Sequence, residues 1–108
     1  MTELEFRTLA DHALEDLHRT LSDASADLLC DADFNAGALV IEFEETSTKF
    51  VVSPNAPVKQ IWVSANLKSY KLDWDPARNV FAIPNGGLTL TNLIAQAIGE
   101  HTGKKVSL

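Results

Sequence analysis

The apolar residues of this sequence change their spacing twice along the chain, and this change constrains the fold more than any other feature. In residues 6–21 they recur every three or four positions, which is the period of an amphipathic α-helix. In residues 28–83 they alternate with polar residues in short runs, as in strands that bury one face. In residues 90–98 the helical period returns. The sequence therefore predicts the order helix, strands, helix.

Turn and capping residues set the expected limits of these elements. Thr2 and Glu5 have the spacing of a capping box, so the first helix is predicted over about residues 3–22, and Gly103 suits the end of the last helix. Six strands are predicted, separated by short turns of which most contain Asn, Gly or Pro: residues 28–34, 39–44, 48–53, 58–65, 69–74 and 79–83.

Short turns between consecutive strands indicate an antiparallel meander. Each predicted strand has one apolar face, and each predicted helix has one apolar stripe. The fold class is therefore α+β: a two-layer α/β sandwich, with an antiparallel sheet of about six strands and the N- and C-terminal helices packed on one face. We expect residues 1–108 to form a single domain.

This architecture leaves one sheet face exposed, and Trp62 is predicted to lie on it. Ile61 and Val63 take the core phase of their strand, so Trp62 shares the other face with Gln60 and Ser64. The whole set predicted on this face is Asp31, Asp33, Glu42, Glu44, Gln60, Trp62, Ser64, Lys71 and Asp73. Tryptophan is a frequent anchor at protein interfaces, although a ring near a sheet edge also packs beside its neighbours.

Charge is divided unevenly between the two parts of the chain. Residues 1–45 contain twelve acidic and two basic side chains, whereas residues 46–108 contain three acidic and seven basic ones. The acidic part would repel nucleic-acid phosphates, and it favours a cation or a basic protein surface as partner. A solvated face that only aids solubility remains the alternative.

Carboxylates are the only cluster in the sequence that suggests chemistry. Motifs for a nucleophile, a phosphate-binding loop, a dinucleotide or a zinc site are absent, and Cys30 takes the buried phase of its strand. Seven acids lead from the first helix into the first strand, and we call them the acidic ridge: Asp11, Glu15, Asp16, Asp23, Asp27, Asp31 and Asp33. Carboxylates suit hard cations such as iron, manganese, calcium or magnesium, so weak metal binding is expected here. Any single acid has a simpler alternative, such as an ion pair between Glu15 and Arg19.

Three segments, together with the acids ahead of the first strand, resemble the bacterial frataxins, the CyaY family. They are "NAGALVIEF", "NAPVKQIWVSA" and "SYKLDW", and the resemblance extends over essentially the whole chain. It implies weak, exchangeable binding of Fe²⁺ and Fe³⁺ through the acidic ridge, at Glu15, Asp16, Asp23, Asp27, Asp31 and Asp33. It also implies docking to the cysteine desulfurase and the scaffold protein of iron–sulfur cluster assembly, in a regulatory rather than an enzymatic role. The family's exposed tryptophan corresponds to Trp62, and we expect the partner to contact Trp62, Asp31, Asp33, Glu42, Glu44 and Gln60.

Two other functions remain open. One is a ferroxidase that oxidises Fe²⁺ with carboxylates and His12 or His18; it ranks lower because carboxylate-bridged iron centres use inward-facing pairs, and none is evident. The other is a metal-free acidic module that occupies a basic site on a protein. The sequence has no apolar run of spanning length, no targeting segment at its start and one cysteine, so we expect a cytoplasmic protein without membrane or nucleic-acid partners. Without iron we expect a monomer.

Overall fold

Two long helices and a six-stranded antiparallel sheet make up the computed structural model, which describes residues 1–108. The helices are α1 (Glu3–Asp23), a short α2 (Ser25–Leu28) and α3 (Leu90–Thr102). The strands are β1 (Cys30–Asn35), β2 (Ala38–Phe43), β3 (Lys49–Asn55), β4 (Gln60–Ala65), β5 (Lys68–Asp75) and β6 (Val80–Ala82), and a 3₁₀ turn at Ala56–Val58 joins β3 to β4. The strands lie side by side in chain order, so the predicted meander is confirmed.

The start of α1 is the predicted capping box. The backbone N–H of Glu5 donates to the Thr2 hydroxyl over 3.0 Å, and the backbone N–H of Thr2 donates to the Glu5 carboxylate over 3.3 Å. These bonds satisfy donors that the first helical turn leaves free. The bond from the Thr2 backbone to the carboxylate also holds the pKa of Glu5 below its ordinary value.

The core lies between the helices and one face of the sheet. All 24 buried residues are hydrophobic, and both long helices contribute to them. Aromatic rings connect the layers: Phe6 of α1 meets Phe81 of β6 edge-on at 5.8 Å, and Phe81 meets Trp74 at 5.1 Å. Both helices pack on the same face, which leaves the opposite face of the sheet open. We call this open side the outer face; it carries Asp31, Asp33, Glu42, Ser53, Gln60, Trp62, Ser64, Lys71 and Asp73.

Two predicted strand starts are wrong. Residues 25–28 form α2, with Leu28 packed against the core from the helix, and Leu29 (φ 52°) reverses the chain into β1. The alternation of apolar residues continues through residue 28, so the pattern hides this short helix. Likewise Val58 belongs to the 3₁₀ turn, and Lys59 (φ 53°) precedes the true start of β4.

Two further details differ from the sequence pattern. β3 continues through Pro54, which was expected in a turn. Proline has no backbone N–H to donate, but the pairing of β2 with β3 ends at Val52, so β2 has no hydrogen bond to make with Pro54. Phe34 has the inward phase of β1 but is 48% exposed. Its strand lies at the sheet edge, where the ring of His18 packs on it with 5.1 Å between the ring centres.

Candidate functional site

Trp62 lies on the outer face as predicted, in the middle of the sheet. Its side chain is 38% exposed, although β4 is flanked by β3 and β5. Ser53 is its partner in β3 and Lys71 is its partner in β5. A shallow depression of about 300 Å³ adjoins the ring and is lined in part by the smaller side chains of Val51, Ser53, Ser64 and Ser69. The ring therefore leaves more than a third of its side chain open to solvent on a sheet face that no helix covers.

Three polar side chains hold the ring of Trp62 in place. The indole Nε1–H donates to Oε1 of Gln60 over 3.0 Å, and Nε2 of Gln60 donates to Oδ1 of Asp73 over 3.1 Å. The ammonium group of Lys71 lies 5.0 Å from the centre of the indole, within the range of a cation–π contact. Gln60 was predicted as a partner-binding residue. Lys71 and Asp73 were placed only on the outer face, and their phase in β5 was the available signal that they lie near Trp62.

The acidic ridge consists entirely of exposed residues, but they occupy different surfaces. Asp11 and Glu15 share one stripe of α1 with His18, since these positions are separated by four and three residues. The ring of His18 packs on Phe34, so this stripe faces the β1 edge. Asp31 and Asp33 extend from the outer face of the same strand, so carboxylates flank the sheet edge on both sides.

Asp16 is separated from the carboxylates of β1. Together with Leu9 and His12 it lines a groove whose other walls include Trp74 and Phe81, so it lies on the flank of α1 that faces away from His18. Its carboxylate also accepts from Nη2 of Arg19 over 3.1 Å. Asp16 therefore does not form a continuous surface with Asp31 and Asp33. The sequence had suggested a single ridge that contains all three.

The remaining two members of the acidic ridge connect α1 to the sheet. Asp23 is the last residue of α1, and Asp27 lies in α2 immediately before β1. Nowhere in the molecule do three His, Cys, Asp or Glu side chains converge closely enough to hold a metal ion. The ridge thus presents separate carboxylates, each of which leaves most of a cation's coordination sphere to water.

Acids on β1 and β2 form the most concentrated charge on the outer face. Asp31 is the direct cross-strand partner of Glu42. Like charges at opposed positions destabilise a sheet, so this pair works against the pairing of β1 with β2. Nζ of Lys49 lies 3.9 Å from Oε1 of Glu42. Glu44 follows the end of β2, and its backbone N–H donates to the carbonyl of Leu29 over 3.0 Å.

Cys30 is buried at the start of β1, as predicted. Burial raises the pKa of its thiol, and the nearby charges of Asp31 and Glu44 raise it further. The thiol is therefore protonated and shielded, which does not suit a nucleophile or a metal ligand. Separately, none of the helices combines the length and the hydropathy that a membrane span requires.

Comparisons with known proteins agree with the architecture described above. The family model of the frataxin-like domain matches residues 1–104. The protein named "Iron-sulfur cluster assembly protein CyaY" from Tolumonas auensis is 26% identical over 108 residues, which cover 100% of this chain and 99% of that protein. The solved structure of the frataxin from Psychromonas ingrahamii is similar with a TM-score of 0.83 and 23% identity, covering 99% of this chain and 97% of that one. The structural match bears on the fold.

Proposed function

The chain belongs to the frataxin-like family, and from this premise we propose that it is an iron-binding regulatory adaptor of iron–sulfur cluster assembly, acting in the cytoplasm. The observation that carries the proposal is Trp62, a large aromatic side chain left exposed at the centre of an open sheet face. The relative from Tolumonas auensis, named as a cluster assembly protein, supports the same pathway.

Docking is proposed to use the outer face, with the cysteine desulfurase and the scaffold protein as partners. Trp62 serves as the anchor, because a tryptophan that fills a pocket on the partner contributes much of the affinity of an interface. Asp31, Asp33, Glu42 and Glu44 attract a basic partner surface and raise the rate of association. Gln60 lies beside the anchor and completes the contact set.

Iron is proposed to be exchangeable cargo held by carboxylates of the acidic ridge, as Fe²⁺ or Fe³⁺. Exposed single carboxylates are hard ligands that suit iron, and their separation is consistent with weak binding. Asp31 and Asp33, with Glu42 opposite Asp31, offer the densest group. Asp11, Glu15, Asp23 and Asp27 extend it along the β1 edge, whereas Asp16 provides a separate position beside Arg19.

The two alternatives have less support. A ferroxidase centre of the kind built inside a protein requires interior carboxylates, and no buried residue of this chain is charged or polar. A metal-free acidic module would use the same outer face. It differs in that chelators would not change the binding of the partner.

Isothermal titration with a purified cysteine desulfurase tests the docking proposal. We expect Trp62→Ala and the double reversal Asp31→Lys/Asp33→Lys each to weaken binding by about tenfold or more, in line with the loss of an interface anchor or of steering charges. Glu100→Lys, an exposed reversal on α3 in the opposite layer, is the matched control and should bind as the wild type does. Unchanged binding of the first two variants would show that docking through the outer face is wrong.

A nuclear magnetic resonance titration with Fe²⁺ tests the iron proposal separately. Paramagnetic broadening is expected first at Asp31 and Asp33 and should be reduced in their lysine variants. The chain is a metal-free module if two results are found together: saturating Fe²⁺ broadens the signal of no ridge residue, and a chelator does not change the affinity for the desulfurase.

A further inference from the structure

Gln60 connects Trp62 to a third side chain, that of Asp73. We propose that Asp73 is a positioning residue that acts through Gln60 to present the indole of Trp62 to the partner in one preformed orientation. This inference rests on the proposed docking function, and it adds how the anchor is prepared before the partner arrives.

The donors and acceptors of Trp62, Gln60 and Asp73 match each other in sequence. A glutamine amide has a donating and an accepting end, an indole N–H only donates, and an ionised carboxylate only accepts. Gln60 lies between the two, with 3.0 Å from its Oε1 to Trp62 Nε1 and 3.1 Å from its Nε2 to Asp73 Oδ1. Only one orientation of the amide satisfies both neighbours. A flipped amide would place its N–H groups against the indole N–H and its oxygen against the carboxylate.

The strand arrangement explains why β5 controls a residue of β4. Gln60 and Trp62 are two residues apart on β4, and Lys71 and Asp73 are two residues apart on β5, so all four side chains lie on the outer face. Lys71 is the register partner of Trp62 and places its ammonium 5.0 Å from the ring centre. The ring is therefore restrained at its N–H by the Asp73–Gln60 pair and at its face by Lys71.

A fixed ring loses less conformational freedom when a partner binds. Although Asp73 is half-buried, its carboxylate makes only one hydrogen bond to a side chain, the one to Gln60. The main consequence of losing the carboxylate should therefore be a freer Trp62 rather than an unfolded strand.

The test follows the indole N–H signal of Trp62 in the full chain, assigned by its loss in Trp62→Phe, with the indole signal of Trp74 as internal control. In Asp73→Asn the new amide both donates and accepts, so Gln60 loses its single preferred orientation. We expect faster solvent exchange and a lower heteronuclear NOE at the Trp62 indole, with Trp74 unchanged. Gln60→Glu places two carboxylates against each other and should have the same effect.

The double variant Gln60→Glu/Asp73→Asn provides the rescue. The carboxylate at position 60 accepts from both the Trp62 indole and the new amide at position 73, and the net charge equals that of the wild type. We expect its Trp62 indole exchange to return to the wild-type rate. If Asp73→Asn leaves exchange at Trp62 unchanged, or lowers thermal stability alone, the positioning role is overturned.

Titration with the desulfurase then separates the two proposals. Asp73→Asn should weaken binding by about three- to tenfold, the range expected for ordering one large side chain, and the double variant should restore it. Suppose that Trp62→Ala weakens binding, and that Asp73→Asn loosens the indole but binds the desulfurase as tightly as the wild type. This result would overturn the proposal that a preformed orientation of Trp62 aids binding. Unchanged binding of Trp62→Ala would instead overturn the docking function, while the indole measurement would still decide whether Asp73 positions the ring.

Discussion

Asn66 donates from its side-chain amide to the backbone carbonyl of Ala97 over 3.0 Å and so ties the turn between β4 and β5 to α3. Both central residues of this turn have positive φ, 50° at Asn66 and 64° at Leu67. Asparagine tolerates this conformation, but a leucine is strained there, and the side chain of Leu67 is fully exposed. The sheet and the last helix are thus joined at a strained turn.

Replacing Leu67 by glycine should stabilise the protein. Glycine adopts positive φ without strain, and Asn-Gly is the preferred pair in a two-residue hairpin turn. Relief of the strain raises the free energy of unfolding, and the greater entropy of glycine in the unfolded chain offsets part of this gain. We expect a net rise of about 0.5–1 kcal/mol. Urea denaturation measures the change. Lys68→Gly, in the following strand, is the control and should lower stability; a similar loss in Leu67→Gly would contradict the interpretation.

Gly87 should not tolerate even a methyl group. A Cβ at this position would lie 2.7 Å from Cβ of Ile83 and 2.9 Å from its carbonyl oxygen, to which the N–H of Gly87 donates over 3.0 Å. Gly87→Ala should therefore cost about 1–3 kcal/mol, the range for overpacking, as measured by denaturation. Gly37→Ala is the comparison, because it has open space and only the strain of its positive φ. If Gly87→Ala is the more stable of the two, the steric argument is wrong.

Asp75 should make stability depend on acid pH. The hydrogen bond from Nε of Arg78, 2.7 Å long, together with a bond from the backbone of Ala77, holds the pKa of Asp75 below its ordinary value of 3.8. Because the folded state has the lower pKa, the carboxylate stabilises the fold above pH 3.8, and this contribution is lost as the pH falls through the folded-state pKa. The Tm difference between wild type and Asp75→Asn should therefore be largest near neutral pH and shrink in acid. A difference that does not vary with pH would contradict this prediction.

Cys30 should react with thiol reagents only when the chain unfolds. Burial raises the pKa of the thiol above its ordinary value of 9.0, so the folded state retains the proton, and stability falls as the pH rises above that value. With a disulfide reagent at pH 8 we expect modification to be slower in the folded protein than in urea by roughly a hundredfold or more. Ser47→Cys in a Cys30→Ala background gives the exposed-thiol control. Equal rates for the two thiols would show that Cys30 is accessible.

The local sequence pattern was sufficient to predict which face of the sheet many residues of the candidate site occupy. Side chains alternate strictly along a strand, so the phase of Ile61 and Val63 places Trp62 on the outer face without any knowledge of its neighbours. The same reasoning places Asp31 and Asp33 outward and Cys30 inward. It fails at Leu28, where one short helical turn and the start of a strand give the same apolar spacing.

Periodicity and capping depend on neighbours within a few positions, so the sequence was enough to predict the element order, the fold class and most residues of the outer face. Which of these residues meet depends on the packing of the folded chain. The register of β4 on β5 brings Gln60 to Asp73, thirteen residues away, and the rotation of α1 on the sheet turns Asp16 away from Asp31 and Asp33. Register and helix rotation are set by how the whole core packs, and no local pattern along the chain contains that information.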